Sequence, residues 1–245
     1  MKSLSDLDLT DKKYIIFDLD GTLIDSIGNW NLSDYKIIKE LGNKEIDFKI
    51  IQKEREKFLE KNTSSDIYLE YCDFLIKKYD LKGTKEDVLK LRKTFSNEIL
   101  AKEVDFKPNA VKVVKKLKDL GFILVLATAT TKDKIDLYSN INLKMSSQLK
   151  LLDTFDLILT KDDVVHKKPN PEIYNIILKH YNVSPDKCLV FEDSLHGIIA
   201  AKKANIEVIN VYDKYSDDDR KQIMNVADYS IKDYNEFIDL LFSKF

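Results

Sequence analysis

Two aspartates, Asp18 and Asp20, follow a short apolar run from Lys13 to Phe17 and are separated by one leucine. Such a run, bounded by charges and followed by Gly21, is typical of a buried strand that ends at a turn. Residues i and i+2 at a strand end point the same way, so both carboxylates can face one site. One acid could act as a nucleophile or metal ligand, and the other as a general acid and base.

Polar residues also follow the other predicted strands, at the point where each strand ends. In chain order they are Thr128, Ala129 and Thr130, then Lys168, then Glu192 and Asp193. Because ligands of open α/β sheets bind beyond the carboxyl ends of strands, these residues are expected to meet the aspartate pair. Nearby carboxylates repel unless a cation lies among them, and Mg²⁺ prefers an all-oxygen ligand set. The Thr128 hydroxyl, the backbone N–H groups after it and the Lys168 ammonium could hold a phosphate, so the predicted chemistry is phosphoryl transfer.

Strands and helices are predicted to alternate along most of the chain. Beyond the first run, the predicted strands are Phe122 to Ala127, Asp156 to Leu159, Cys188 to Phe191 and Val208 to Val211. The predicted helices between and after them are Pro108 to Leu120, Glu172 to Tyr181, Leu195 to Ala204, Asp217 to Met224 and Tyr234 to Phe242. This order is typical of an α/β domain with a parallel sheet.

A different pattern occupies the stretch from about Asn29 to Leu100. Apolar residues there recur at helical spacing, as in the expected core stripe Tyr68, Tyr71, Phe74, Leu75 and Tyr79. The pattern is broken at Gly42, at Asn62 to Ser65 and at Gly83, which predicts four helices in succession. The α/β domain is therefore predicted to carry an all-helical insertion after its first strand.

Composition excludes several kinds of protein. The 245 residues are 44% hydrophobic and can bury a core, while 40 Lys and Arg against 42 Asp and Glu leave no basic field for nucleic acid. The longest apolar stretch, Phe122 to Ala127, is far shorter than the roughly 20 residues of a membrane helix, and the first residues lack the apolar core of a secretion signal. Two cysteines, Cys72 and Cys188, cannot build a disulfide framework. The sequence predicts a soluble cytoplasmic protein with neither nucleic acid nor a membrane as partner, and it implies no protein partner.

Four segments carry a family resemblance. They are DLDGTLIDS (Asp18 to Ser26), the Thr at the end of FILVLAT, KPNPEIY (Lys168 to Tyr174) and FEDSLHGIIAAKKA (Phe191 to Ala204). In residues, order and spacing they look like the four motifs of the haloacid dehalogenase-like hydrolase superfamily. Essentially the whole chain resembles the branch of phosphoglycolate phosphatase and β-phosphoglucomutase. The resemblance implies a Rossmann-like catalytic core at residues 1–27 and 103–245, with a helical cap domain inserted at residues 28–102.

The resemblance also implies roles for individual residues. Asp18 would attack phosphorus in line and form an aspartyl phosphate. Asp20 would protonate the leaving alcohol and later take a proton from the attacking water. Thr128 and the amide of Ala129 would bind the phosphoryl oxygens, and Lys168 would balance the charge of both the nucleophile and the phosphate.

Mg²⁺ is the cofactor that the resemblance implies. Asp18, the backbone carbonyl of Asp20 and Asp193 would hold it, together with Glu192. The predicted function is a Mg²⁺-dependent phosphatase of a small phosphorylated metabolite, such as a sugar phosphate or a nucleotide monophosphate. A phosphosugar mutase using the same aspartyl-phosphate chemistry is the alternative. A non-catalytic binding module is disfavoured because every expected catalytic position is filled.

The insertion departs from the β-phosphoglucomutase pattern. Where similar proteins would have a His after the first motif and an Arg in the cap, this chain has Trp30 and no matching segment, which weakens the mutase alternative. Trp30 could line a substrate pocket or anchor the cap. Arg55 and Arg92 are predicted to be surface charges of helices, with phosphate clamps as the alternative. Residues 29–100 contain 15 Lys and Arg and 14 Asp and Glu, so they offer no general anion trap.

Overall fold

The computed structural model describes residues 1–62, 64 and 66–244, and these residues form two compact units. The larger unit combines residues 1–27 with the chain from Val104 onward, and the smaller unit comprises Gly28–Glu103. The predicted helix break at Asn62 to Ser65 includes Thr63 and Ser65, which lie outside the described residues. Within the described ranges, no helix combines the length and the apolar character that crossing a membrane requires.

A parallel sheet forms the centre of the larger unit. Its strands among the described residues are β1 (Tyr14–Phe17), β2 (Ile123–Ala127), β3 (Leu157–Leu159), β4 (Cys188–Glu192), β5 (Glu207–Val211) and β6 (Tyr229–Ile231). They lie in the order β3-β2-β1-β4-β5-β6, and every neighbouring pair is parallel. The strands β1 and β4 are buried along their whole length, as expected for a sheet covered on both faces. The predicted α/β fold is confirmed.

The smaller unit is helical throughout its regular structure in the described ranges. Its helices are α1 (Asn29–Gly42), α2 (Phe48–Lys61), α3 (Ile67–Tyr79) and α4 (Lys85–Lys102). The shared core of these helices and their connections consists of Ile37, Ile38, Ile51, Tyr71, Cys72, Leu75, Tyr79, Leu81 and Val88. The four predicted helices of the insertion are confirmed. Tyr68, which was expected in this core, lies in the first turn of α3 and is 57% exposed.

The helices of the larger unit connect and cover the strands. They are α5 (Ala110–Asp119), α6 (Lys132–Asp136), α7 (Leu143–Ser146), α8 (Leu151–Thr154), α9 (Glu172–Tyr181), α10 (Leu195–Lys203), α11 (Arg220–Val226) and α12 (Tyr234–Lys244). A π-helical turn, Leu137–Ile141, follows α6 directly. On one side of the sheet, Ile16 of β1 belongs to a buried cluster with Ile177 of α9 and Ile198 of α10. Phe191 of β4 lies edge-on to Phe237 of α12, with their ring centroids 4.9 Å apart.

Three features of the larger unit differ from the sequence predictions. The edge strand β6 was not predicted, because its three residues are too few to show a periodic pattern. Helix α11 begins at Arg220 rather than at Asp217, because Lys214–Asp219 form a 3₁₀-helix before it. The short helices α7 and α8 between α6 and β3 were not predicted either, since four residues give one helical turn and no repeat.

A buried cluster around an ion pair joins the four helices of the smaller unit. Asp34 of α1 is fully buried, and its Oδ1 accepts a hydrogen bond of 2.6 Å from Nε of Arg92 on α4. Arg55 of α2 lies 3.6 Å from Asp34 Oδ2, and the Tyr71 hydroxyl donates to the same oxygen at 3.1 Å. Arg92 is 3% exposed, and its guanidinium lies over the Trp30 ring, 4.7 Å from the centroid. The prediction that Arg92 is a surface charge is wrong, because this helix position faces Asp34.

Glu207 at the start of β5 makes a second charge cluster, in the larger unit. Its two carboxylate oxygens lie 2.7 Å from Lys2 Nζ and 2.8 Å from Lys12 Nζ. Burial acts to raise the pKa of Glu207, but the two lysines outweigh it and lower this pKa to about 2. A carboxyl group with a lowered folded-state pKa stabilises the fold above its unfolded pKa and loses that contribution as the pH falls.

The pH dependence of stability should reveal this contribution. We expect Glu207→Gln to lower the free energy of unfolding by a constant amount above about pH 5. The difference from wild type should shrink as the pH falls from there towards 2, because Glu207 becomes protonated in both states. Urea unfolding at a series of pH values measures it. Glu40→Gln, at an exposed position of α1, is the control for loss of one surface charge. A difference that stays unchanged down to the acid-unfolding limit would contradict the expectation.

Candidate active site

The functional residues of the sequence analysis gather around the carboxyl end of β1. This strand pairs with β2 on one side and β4 on the other, so the chain order reverses there, which is where open α/β sheets bind ligands. Asp18 follows β1, and its amide donates to the carbonyl of Phe191 in β4. Thr128 follows β2, and Glu192 and Asp193 lie at the end of β4.

Lys168 links three of these strand ends. Its Nζ donates to Asp18 Oδ1 at 2.7 Å, to the carbonyl of Ala127 at 2.9 Å and to Glu192 Oε1 at 2.7 Å. The ammonium also lies 5.5 Å from the centroid of the Tyr174 ring. Burial opposes the charged form, but the charges of Asp18 and Glu192 raise the pKa of Lys168 well above its ordinary value. Lys168 therefore stays protonated, and all three of its N–H groups are used.

Three carboxylates share this buried region. Atoms of Asp18, Glu192 and Asp193 lie within 4.8 Å of one another, and all three residues are buried. Burial raises the pKa of Asp18 to about 8, although Lys168 opposes the shift. Burial and then the charges of Glu192 and Asp18 raise the pKa of Asp193 well above its usual range. With Lys168 the charges sum to −3 + 1 = −2 when all are ionised, which is unfavourable in a buried site.

The donor set fits a hard divalent cation. It consists of carboxylate oxygens, which Mg²⁺ prefers, and its excess negative charge would be neutralised by such an ion. Asp193 has one oxygen bonded to the Thr22 hydroxyl at 2.8 Å. Both oxygens of Glu192 accept bonds from the protein, one from Lys168 and the other from the amide and hydroxyl of Ser194. Asp18 and Asp193 are therefore better placed than Glu192 to offer an oxygen to a metal.

Asp20 lies apart from this three-carboxylate group. Its side chain is half-buried, and its Oδ1 accepts hydrogen bonds from the hydroxyls of Ser26 and Tyr138. The sequence analysis assigned Asp20 a catalytic carboxylate and a metal-binding carbonyl. The Asp20 side chain lies outside the three-carboxylate group, and both assignments stay predictions.

The predicted phosphate-binding residues lie at the turn after β2. Thr128 is buried, and its Oγ1 accepts a hydrogen bond of 3.1 Å from the amide of Thr130. Ala129 between them is exposed, and no described residue accepts a hydrogen bond from its amide. Since Lys168 bonds the carbonyl of the preceding Ala127, its ammonium lies next to this turn. A free amide can donate to a phosphate oxygen, and the charge of the nearby ammonium would attract the phosphate.

Glycines allow the carboxylates to approach the backbone closely. Gly21 has φ +85°, and a Cβ there would lie 2.4 Å from Asp193 Oδ2. Gly197 lies in the first turn of α10, and a Cβ there would lie 1.6 Å from Glu192 Oε1. Ser194 caps the same helix by accepting a hydrogen bond from the Gly197 amide. The start of α10 is thus shaped around the Glu192 carboxylate.

Replacing Gly197 with Ala should damage the site. The added methyl group would displace Glu192, which would lose its bond to Lys168. We expect the catalytic efficiency to fall by at least about tenfold, with a lower Tm. Gly121→Ala is the control, because an added Cβ there has no neighbouring atom within 4 Å, and only its positive φ disfavours a side chain. That variant should lose some stability and keep its activity. Equal activity of the two alanine variants would contradict the role of Gly197.

Sequence reasoning missed several residues that contact the site. Thr22 and Ser26 lie inside the DLDGTLIDS segment and could have been found from their closeness to the aspartates. Tyr174 ends the KPNPEIY segment and could have been found in the same way, whereas Tyr138 carries no comparable signal. Tyr138 is 118 positions away from Asp20 in the chain, and only the packing of the larger unit brings its hydroxyl to that carboxylate.

Comparisons with known proteins identify a family and several relatives of this chain. Residues 15–211 match the family of haloacid dehalogenase-like hydrolases. A Bacillus subtilis protein with the provisional name phosphatase YhcW is 30% identical over 82% of this chain and 84% of its own. A phosphorylated carbohydrates phosphatase from Thermotoga maritima is 27% identical over 80% of this chain and 82% of its own. A solved Thermotoga maritima structure, provisionally named a β-phosphoglucomutase, has a TM-score of 0.74 at 22% identity, covering 95% of this chain and all of that one.

The chain belongs to the haloacid dehalogenase-like hydrolases. The family match covers more than half of the chain, and the first of these relatives adds agreement along most of both sequences. The protein is therefore a hydrolase, and the names of its relatives point to phosphatases. The solved structure shares the fold, and at its level of identity it supports the architecture alone.

Proposed function

We propose that this protein is a Mg²⁺-dependent phosphatase that hydrolyses a small phosphorylated metabolite through an aspartyl phosphate on Asp18. The observation that carries the proposal is the convergence of Asp18, Lys168 and Asp193 at the carboxyl end of β1, with Asp20 two residues from the nucleophile. Phosphoryl transfer depends mainly on positioning and on neutralisation of charge, and this set offers both.

In the proposed first step, a carboxylate oxygen of Asp18 bonds to phosphorus while the bond from phosphorus to the leaving oxygen breaks. Asp20 gives its proton to that oxygen, so a neutral alcohol departs and an aspartyl phosphate remains. In the second step, Asp20 takes a proton from water as the water oxygen attacks phosphorus. The bond to Asp18 then breaks, and inorganic phosphate and the free carboxylate are released.

The other residues of the site orient the nucleophile, bind the phosphate and neutralise charge. Lys168, already bonded to Asp18 Oδ1, orients the nucleophile and favours its ionised form, and its positive charge would attract the incoming phosphate. Thr128 and the free amide of Ala129 bind phosphoryl oxygens. Asp18, Asp193 and the carbonyl of Asp20 would hold Mg²⁺, with Glu192 beside them, and the ion would neutralise charge on the phosphate. Glu192 additionally anchors Lys168.

We assign catalysis to the core, residues 1–27 and 103–245, and substrate choice to the helical insertion, residues 28–102. Arg92 is unsuited to a phosphate clamp because Asp34 and the Trp30 ring already occupy its guanidinium. The contact with Arg92 supports Trp30 as an anchor of the insertion. A monophosphate of modest size, such as a sugar phosphate or a nucleotide monophosphate, is the proposed substrate class.

Release of free phosphate tests this proposal. The purified protein is incubated with a panel of sugar phosphates, nucleotide monophosphates and phosphoglycolate, once with Mg²⁺ and once with a chelator. We expect release from some esters that needs Mg²⁺. Conversion of a hexose 1-phosphate to an isomer without release of phosphate would show that the protein is a mutase rather than a phosphatase. Binding of esters without any turnover would show that the protein is a non-catalytic binding module.

A further inference from the structure

The carboxylate of Asp20 is held by two buried hydroxyl groups. Ser26 Oγ donates to Asp20 Oδ1 at 2.5 Å, and the Tyr138 hydroxyl donates to the same oxygen at 3.3 Å. Ser26 is 5% exposed and Tyr138 is 1% exposed, whereas Asp20 itself is half-buried. Among residues 1–62, 64 and 66–244, no hydrogen bond reaches Oδ2 of Asp20. The two oxygens of Asp20 therefore have different surroundings.

The backbone around Tyr138 departs from regular helix. Tyr138 lies in the π-helical turn Leu137–Ile141, which follows α6 directly. A π-turn changes the direction in which the following side chains point, and such turns are often found at functional sites. Tyr138 belongs to the same compact unit as Asp20, so their contact lies within one packed body. The turn aims a fully buried tyrosine at Asp20, the proposed proton donor of the reaction.

We infer that Tyr138 is a positioning residue which, with Ser26, fixes Asp20 so that Oδ2 carries the proton to the leaving group. This inference rests on the proposed phosphatase function. The hydroxyl of tyrosine is protonated at neutral pH, so it donates to Oδ1 and keeps that oxygen an acceptor. With Oδ1 accepting two hydrogen bonds, the proton of the neutral Asp20 carboxyl group resides on Oδ2. A half-turn of the neutral carboxyl group would place its protonated oxygen against both hydroxyl donors, so the orientation with Oδ1 as acceptor is favoured.

The inference has a chemical consequence that depends on the leaving group. When the bond from phosphorus to the leaving oxygen breaks, an alkoxide needs a proton at once, because alcohols are weak acids. A nitrophenolate leaves readily without one. Loss of Asp20 positioning should therefore slow the cleavage of alkyl phosphates much more than that of p-nitrophenyl phosphate. A role of Tyr138 limited to packing would slow both substrates alike.

The variant Tyr138→Phe removes the hydroxyl and keeps the ring. We measure kcat/KM, which reports the steps up to phosphoryl transfer, for a primary alkyl phosphate and for p-nitrophenyl phosphate. We expect a loss of about tenfold with the alkyl ester and less than about twofold with the aryl ester. Asp20→Asn should also lower kcat/KM more for the alkyl ester than for the aryl ester, and by a larger factor than Tyr138→Phe. Adding Tyr138→Phe to Asp20→Asn should have no further selective effect, because residues that act as a unit are not additive.

Tyr229→Phe is the matched control. Tyr229 is also buried, at 2% exposed, and its hydroxyl also contacts a carboxylate, Glu207 Oε1, at 3.4 Å, but it lies on β6 outside the site. This variant should retain wild-type activity with both esters. Ser26→Ala provides a second test of the same carboxylate should Tyr138→Phe lower the Tm so far that little folded protein remains. Ser26→Ala should lower kcat/KM for the alkyl ester more than kcat/KM for the aryl ester.

The outcomes separate the inference from the proposed function. If wild type cleaves both esters and Asp20→Asn is selective, equal losses with both esters in Tyr138→Phe, or no loss at all, overturn the role of Tyr138. A selective loss that persists undiminished in the Asp20→Asn background overturns it as well, since Tyr138 would then act through another group. Absence of phosphate release from any ester by wild type overturns the phosphatase proposal, and this inference with it.

Discussion

Replacing Asp18 with Asn should remove turnover almost completely. The amide keeps the shape of the carboxylate, but it is a poor nucleophile, so we expect a loss of at least about 10⁴-fold in kcat. Steady-state phosphate release and a search for phosphorylated protein in a single turnover measure the effect. Asp153→Asn, an exposed aspartate on α8 in the same unit, is the control and should behave as wild type. Wild-type-like turnover in Asp18→Asn would rule out the proposed mechanism.

The same variant gives a readout that does not depend on activity. Burial raises the pKa of Asp18 to about 8 in the folded protein, above its unfolded value near 4. The folded state therefore keeps this proton to a higher pH than the unfolded state does. As a result, the free energy of unfolding decreases as the pH rises from about 4 to about 8. In metal-free buffer at neutral pH, we expect Asp18→Asn to unfold at the same or a higher temperature than wild type. Added Mg²⁺ should raise the Tm of wild type more than that of the variant, because a ligand is missing.

Replacing Asp34 with Ala should cause the largest loss of stability. Arg92 and Arg55 would keep their charges while losing the carboxylate between them, and Arg92 is 3% exposed. Breaking a buried pair by removing one partner typically costs about 3–5 kcal/mol. We expect a decrease of that size in the free energy of unfolding, measured by urea denaturation. The cause is the uncompensated buried charge rather than the lost attraction itself.

An exposed ion pair on α3 supplies the control for Asp34. Asp73 pairs with Lys77 one helical turn away, and the Lys77 side chain is 75% exposed and the Asp73 side chain 41% exposed. Asp73→Ala should change the free energy of unfolding by no more than about 0.5 kcal/mol, because exposed pairs are screened by water. A change of less than about 1 kcal/mol in Asp34→Ala would show that the two arginines relax to solvent at little cost.

Much of the fold could be predicted because its elements have strong local signals. The strand β1 is a short, fully apolar run between charged residues, and helix α9 was predicted with the bounds that the structure has. The strand β6 and the helices α7 and α8 are three or four residues long, so no period can develop in them. Their formation depends on neighbouring strands and helices that supply hydrogen bonds and apolar contacts.

Some features of the side chains could likewise be predicted from the sequence, and others could not. Asp18, Thr128 and Glu192 follow predicted strands, so the rule that parallel strands present their carboxyl ends at one edge was enough to bring them together. The burial of Arg92 could not be predicted, because helical spacing does not reveal a buried acid such as Asp34 on another helix. A charged side chain is buried only when its partner is already in place, and that depends on packing between helices.

The sequence by itself determined the kind of chemistry, because the residues after each strand form recognisable segments whose spacing is set by local structure. The tertiary structure alone decided how those groups share charge and protons. It brings Lys168 to Asp18 and Glu192, and it directs Tyr138 to Asp20 from 118 positions away. The physical reason is that hydrogen bonds and charge interactions act over a few ångströms in space, while the sequence records only order along the chain.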